Sequence, residues 1–281
     1  MSIESATPIC ICVDDFGLHP AINQAVLALA DARRISATSA MVGGSAWAEG
    51  AAQLRAIGSA SPIEVGLHLD FTEPAIHDGE VRMPLRRLIL ASYARRLDPM
   101  QLRREINRQL DAFEAQLQRP PAYIDGHQHV HQLPQVREAL LAVLNARYPA
   151  EGPRPWLRST WPRPGLVGSV LANPKAAVIA VLGAHALRQQ AGRQGFTLNG
   201  ALFGVYDFAG DAARYARLLR EWLTQMHAAD VLMCHPAAAA VPGDVIAAAR
   251  TMEFEMLRSP AFTELLLQSR RVPGPMGQYQ A

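Results

Sequence analysis

The stretch "ICICVDDFGLHP" (9–20) runs an apolar segment of isoleucine and cysteine straight into two acids, a phenylalanine and a glycine, then a proline suited to the first turn of a helix. It reads as a short buried strand over 9–13, with its polar groups at the carboxyl end and a helix over 20–34 directly behind them. The same order recurs. "SATSAMV" (36–42), "IEVGLHL" (63–69), "AYIDGHQHV" (122–130) and "VLMC" (231–234) read as further strands, and amphipathic patterns over 135–147 and 211–225 read as helices. In "DPMQLRREINRQLDAFEAQLQRPP" (98–121), Leu102, Ile106, Leu110, Phe113 and Leu117 form one stripe, and the double proline ends the helix.

Strands that alternate with helices imply βαβ units, hence parallel pairing and right-handed crossovers. A chain of 281 residues, half of them hydrophobic, has the length of one α/β barrel. The expectation is a single domain over 1–281, a distorted, TIM-like (β/α) barrel of parallel strands with outer helices. There is no convincing internal repeat. The apolar run "AAVIAVLGAHAL" (176–187) contains a histidine, is too short to span a membrane and is expected to be a core helix.

Composition narrows the partners. A formal charge of +2, without a basic run beside aromatics, argues against nucleic acid and for a small or glycan-like ligand. The first residues, "MSIESATPICICVDD", carry a glutamate where a signal peptide has positive charge. Cys10, Cys12 and Cys234 form no evident disulfide framework. A cytoplasmic protein is expected, with no membrane span and with homo-oligomerisation left open.

On parallel α/β sheets, reactive groups gather at the carboxyl ends of strands. Asp14 and Asp15, His68, His127 and His235 each stand at such an end, on four separate strands. Each has a plainer reading alone. Acids before a helix serve as caps, though two exceed what a cap needs; His68 suits a satisfied core histidine, "HQHVH" an exposed loop, and His235 before Pro236 a turn. Together they suit one site. One carboxylate and two imidazoles with open positions can hold a divalent cation, zinc or magnesium among others. A second carboxylate could take a proton from water and a histidine could give one to a leaving group. That combination suggests hydrolysis of an amide or ester.

At these residues the chain resembles the YdjC-like carbohydrate deacetylases. The resemblance rests on "DDFGL" (14–18), "VGLHLDFT" (65–72), "DGHQHVHQLP" (125–134) and "MCHPA" (233–237), in family order. It implies a distorted (β/α) barrel and removal of an N-acetyl group from an amino sugar, with a small carbohydrate or glycolipid as substrate. It further implies metal ligands at Asp15, His68 and His127, a general base at Asp14 and a general acid at His235. Asp125, His129 and His131 are expected to orient ligands or contact substrate. Two departures stand out: His19 replaces a common serine cap, and Ala237 replaces a glycine after His-Pro.

Two rivals compete. His68-x-Asp70 with a distant histidine could form the triad of a non-haem iron oxygenase, although that chemistry is expected on an all-β scaffold. The other is a non-catalytic sugar- or metal-binding protein. Substrate choice is expected in the loops 71–98 and 149–170.

Overall fold

A computed structural model describes residues 6–57, 63–73, 81–166 and 173–279. Parts of both loops expected to choose the substrate, residues 74–80 and 167–170, lie outside the described residues. The strands are β1 (Thr7–Phe16), β2 (Ala37–Ala40), β3 (Glu64–Leu69), β4 (Tyr123–Gly126), β5 (Trp156–Leu157), β6 (Leu202–Phe203), β7 (Val231–Cys234) and β8 (Arg271–Pro273). The helices are α1 (Pro20–Asp31), α2 (Trp47–Ile57), α3 (Leu85–Tyr93), α4 (Pro99–Leu117), α5 (Val136–Arg147), α6 (Pro174–Ile179), α7 (His185–Arg193), α8 (Ala212–Gln225), α9 (Ala247–Arg258) and α10 (Pro260–Ser269). No described helix is long and apolar enough to cross a membrane.

The strands lie in the order β5-β4-β3-β2-β1-β7-β6, all parallel, with β8 added against the start of β1. Between β5 and β6 the ladder is nearly lost. There Leu157 N–H donates to Thr197 O at 2.9 Å, and the Asn199 side chain bonds both the N–H and the C=O of Ser159 at 2.6 and 3.1 Å. A side-chain amide thus does the work of a strand, and the sheet curls into the distorted barrel that the alternating pattern implied.

Period-two alternation separates two cores. Ile9, Ile11 and Val13 join the large cluster under the helices, whereas Cys10 and Cys12 point into the barrel with Ala37, Tyr123, Trp156 and Val231. The three cysteines are buried, free thiols. On the inward face Cys10, Cys12 and Asp14 follow one another toward the carboxyl end. Strict alternation would then send Asp15 outward. Instead Asp15 takes a left-handed φ of 69°, the pairing with β2 slips between Val13 and Phe16, and both Val13 and Phe16 pack on the helix side. One irregular residue therefore turns two consecutive acids to the same side, at a strain of roughly 1–2 kcal/mol.

The run 176–187 departs from expectation. It is not one core helix: α6 ends at Ile179, a π-turn covers Ala180–Ala184, and α7 begins at His185. Gly183 sits at φ 100°, where an added Cβ would stand 2.2 Å from Gln132 O. An unbroken helix cannot pass so close to that carbonyl. Val178 and Val181 consequently face solvent, 54% and 66% exposed.

Gly66, inward-facing on β3, leaves room for the Tyr123 ring, and a Cβ there would lie 2.4 Å from Tyr123 Cε2. Neighbours at that depth cannot yield cheaply. Gly66→Ala should lower unfolding stability by about 1–3 kcal/mol, read as a shift in the denaturant midpoint at constant slope.

Candidate active site

The carboxyl ends of the strands form the floor of a cavity of about 1160 Å³, lined at its base by Asp14, Asp15, His68, His127 and His235. Arg158, the first residue after β5, organises this floor. Its guanidinium has no exposure and forks onto Asp14, Nη1 to Oδ2 at 2.7 Å and Nη2 to Oδ1 at 2.8 Å, while Nη2 also meets Asp125 Oδ2 at 2.8 Å. The Ser39 hydroxyl lies within 2.7 Å of Asp125 Oδ2 and 3.2 Å of Asp14 Oδ1. Burial works against ionisation of Asp14, but the adjacent guanidinium outweighs it and holds the carboxyl below its usual range.

Asp125 continues the chain of contacts. Its Oδ1 meets His68 Nδ1 at 2.7 Å, so His68 Nε2 is the nitrogen that faces Asp15 Oδ1, at 3.4 Å. A carboxylate behind a histidine in this way fixes its tautomer and orientation, a common arrangement behind metal ligands. Asp15 Oδ1 also lies 3.0 Å from His127 Nδ1, and its Oδ2 accepts from Arg250 Nη2 at 2.7 Å. Arg250 is itself braced by Asp244 at 2.5 Å. Burial opposes the charge on Asp15 and Arg250 restores it, so this carboxyl too stays ionised well below its ordinary range.

Donor atoms of Asp15, His68 and His127 lie within 4.8 Å of one another and can hold a divalent cation. Asp14, His68 and Asp125 satisfy the same distance, but Arg158 already occupies both of those carboxylates. Charge acts on both imidazoles of the first set. Burial alone would make both imidazoles less basic, yet Asp125 and Asp14 drive the His68 pKa well above its normal value, and the Asp15 hydrogen bond raises that of His127 to about 9. Protons and a cation answer the same excess of negative charge.

The remaining histidines separate. The strand expected over 122–130 is shorter: β4 ends at Gly126, and His127–Gln132 is a tight 3-10 segment with left-handed φ at Gln128 and His129. Only His127 reaches the ligand cluster. His129 lines the cavity, and its Nδ1 has no hydrogen-bond partner among the described residues. His131 turns inward, where Nε2 donates to Arg158 O at 2.8 Å and burial lowers its pKa to about 4. It braces the floor and does not face the cavity.

His235 follows β7, with its backbone N–H on Glu253 Oε2 at 2.6 Å and its ring edge-on to Phe208 at 5.2 Å. Its Nδ1 is buried and without a partner among the described residues. Burial lowers its pKa to about 4, so the resting ring is neutral. Glu253, in turn held by Tyr206 OH at 2.7 Å, is pushed up to about 7 by burial. His19 keeps the capping role of the residue it replaces, since its Nδ1 accepts from Ala21 N–H at 3.1 Å, and it lines the cavity. Ala237 is buried without a positive φ, so no glycine is needed there.

Asp70 is excluded as a ligand. The strand stops at Leu69, and Asp70 Oδ1 caps the turn through Thr72 N–H at 2.8 Å and Glu73 N–H at 3.1 Å, while Oδ2 meets Arg82 at 3.1 Å. The oxygenase triad therefore does not assemble. Sequence reasoning missed Arg158, Arg250, Ser39, Glu253 and Glu73, the last 3.3 Å from His127 Nε2. Arg158 obeys the same strand-end pattern as the acids, but its strand has two residues and no readable period.

The family described as YdjC-like protein matches residues 8–268. A mouse protein named carbohydrate deacetylase is 30% identical over 254 residues, covering 83% of this chain and 78% of its own. A Serratia marcescens chitooligosaccharide deacetylase is 31% identical over 144 residues, 48% of this chain and 54% of its own. Among solved structures, an Enterococcus faecalis protein superposes over 98% of this chain and 99% of its own, with a TM-score of 0.68 at 18% identity. A peptidoglycan N-acetylglucosamine deacetylase superposes over 98% and 90%, with a TM-score of 0.51 at 8% identity. At such identities these two likenesses concern the fold.

The geometry predicts a metal-retention series. Alanine at Asp15, His68 or His127 should release most of a bound divalent ion, whereas His131→Ala should retain it and lose stability instead. Metal content per folded protein, measured on each purified variant, tests this; full occupancy in His127→Ala together with loss in His131→Ala would reverse the assignment within the turn.

Proposed function

The chain belongs to the YdjC-like family, and from that premise we propose that it is a metal-dependent deacetylase, hydrolysing the N-acetyl group of an amino sugar and releasing acetate. The observation that carries this reading is the placement of Asp14 and His235 in one cavity with the Asp15, His68 and His127 donor set. A divalent cation held by those three residues would supply Lewis acidity to the acetyl carbonyl and to an attacking water.

The protein's own groups account for the proton movements. Asp14 Oδ1 is engaged by Arg158, Ser39 and Cys12, whereas among the described residues Oδ2 accepts only from Arg158 Nη1 and keeps a lone pair for water. Asp14 Oδ2 is therefore the oxygen that takes the proton as water adds to the carbonyl carbon. Held ionised by Arg158, this carboxylate is a weak base that gives the proton up readily. His235, neutral at rest, takes up the proton that Asp14 removed from water and passes it to the amide nitrogen as the C–N bond breaks, so that the products are acetate, the free amine and one proton.

The walls bear on the substrate. Above the floor they are largely aliphatic, with Leu85, Ile89, Val178, Ile179, Leu182 and Val205 among them, and Phe208 is the one phenylalanine, tyrosine or tryptophan among the described lining residues. Sugar faces stack on aromatic rings, while aliphatic walls suit hydrocarbon. This favours an amino sugar joined to a lipid over a free oligosaccharide. An acetate-release screen of metal-loaded protein on N-acetylglucosaminyl lipids and on chitobiose derivatives decides between them. Metal and sugar binding without acetate release would assign the protein to non-catalytic binding instead.

The two proton-transfer roles differ in their dependence on the leaving group. An amine leaves poorly unless protonated, whereas a phenolate leaves unaided, so His235→Ala should lose about 10²–10⁴-fold on an N-acetyl substrate and recover much of that on an aryl acetate. Asp14→Asn should be impaired on both. With metal content first shown to be intact, kcat/KM for each variant on each substrate makes the comparison; equal loss of His235→Ala on amide and ester would remove its role as acid.

A further inference from the structure

The cavity opens among residues that are unusual for a water-facing surface. Of the eight large hydrophobic residues exposed among the described ones, five lie on three segments that also line the cavity: Leu90 and Tyr93 on α3, Val178 and Val181 on α6 and the π-turn, and Val245 in the loop before α9. Their exposures run from 48% for Tyr93 to 98% for Val245. Scattered singly, such residues need no explanation; gathered around one opening they mark an interaction surface.

Charge distinguishes the partner. Residues 81–97 contain five arginines and no acid, and residues 173–197 contain Lys175, Arg188 and Arg193 and no acid, although the chain as a whole is only +2. Arg82 and Arg95 are spoken for by Asp70 and Glu138. Arg86, Arg87 and Arg96 are exposed beside Leu90 and Tyr93. A second copy of this chain docking by a two-fold axis would set the same basic segments against each other, which like charges oppose. Exposed aliphatic and tyrosine side chains mixed with arginine, by contrast, match a bilayer surface, where the apolar groups enter the interface and the guanidiniums meet phosphate.

We infer that the mouth of the cavity docks on an anionic phospholipid bilayer through Leu90, Tyr93, Val181 and Val245, with Arg86, Arg87 and Arg96 on the headgroups. This rests on the glycolipid reading of the substrate and extends it: the lipid portion passes from the bilayer along the aliphatic walls while the amino sugar reaches the strand ends.

Sedimentation of the full chain with vesicles tests docking without any substrate. The protein should pellet at least tenfold more with vesicles of phosphatidylcholine and phosphatidylglycerol than with phosphatidylcholine alone. The double variant Leu90→Asp, Val181→Asp and the double variant Arg86→Glu, Arg87→Glu should each abolish that difference, with circular dichroism confirming that both fold. Because neither changes a cavity-lining residue, acetate release from a soluble N-acetyl substrate should be unaltered. Wild type left in the supernatant, pelleting that ignores phosphatidylglycerol, or variants that pellet like wild type would each overturn the inference. A concentration-dependent dimer dissolved by Leu90→Asp, Val181→Asp, without vesicle binding, would give the face to a second copy. Vesicle binding without acetate release would sink the catalytic reading and leave the docking result standing.

Discussion

A guanidinium with no access to water sits between two carboxylates, and the order of the floor follows from it. Arg158 neutralises Asp14 and shares a third contact with Asp125, so residues from β1, β4 and the end of β5 meet at one cation. Breaking a buried pair by removing one partner typically costs about 3–5 kcal/mol, because the other charge is left stranded. The constraint runs outward. Arg158 places Asp125, Asp125 fixes Nδ1 of His68, and Nε2 of His68 is thereby turned toward Asp15. Even the backbone takes part, since Arg158 N–H donates to Ile124 O at 3.0 Å and its carbonyl receives His131.

The floor combines opposed requirements. Three carboxylates, Asp14, Asp15 and Asp125, face two guanidiniums, Arg158 and Arg250, and with Asp244 on Arg250 and Glu73 beside His127 the acids outnumber the arginines. The two arginines are not interchangeable in effect. Arg158 engages both oxygens of the proposed base and so orients it, whereas Arg250 takes Oδ2 of Asp15 and leaves Oδ1 as the oxygen near both imidazoles. Full neutralisation would remove the attraction for a divalent cation; no neutralisation would make three buried acids protonate instead.

The parts of this protein that follow simple periods were readable from residues alone. Alternating strands and helices implied the parallel sheet, and polar groups at the ends of β1, β3, β4 and β7 pointed to the floor. What failed was broken periodicity. Asp15 needs a left-handed residue inside a strand, and "HQHVH" gives up extended backbone immediately after Gly126. No side-chain pattern announces either, because aspartate and histidine occupy ordinary strand ends equally well. Asp70 looked like a partner of His68 at the right spacing, but the strand ended one residue early and a turn claimed its carboxylate. Arg158 was hidden by the brevity of β5, and Arg250 and Glu253 by lying on a helix outside the motifs.

Floor and rim are joined through the turn that carries His127. Gln132, its last residue, hydrogen-bonds Ile179 O at 2.7 Å and the Thr160 hydroxyl at 2.7 Å, and its carbonyl presses against Gly183. The break between α6 and α7 is therefore seated directly on the segment that positions His127, a residue of the candidate metal site. A side chain at 183 would push against backbone on both sides, toward Val178 and Val181 at the rim and toward His127 below. That is a reason for glycine where helix propensity alone favours alanine. The exposed, apolar rim is thus the outward consequence of the same contact that packs the turn carrying His127.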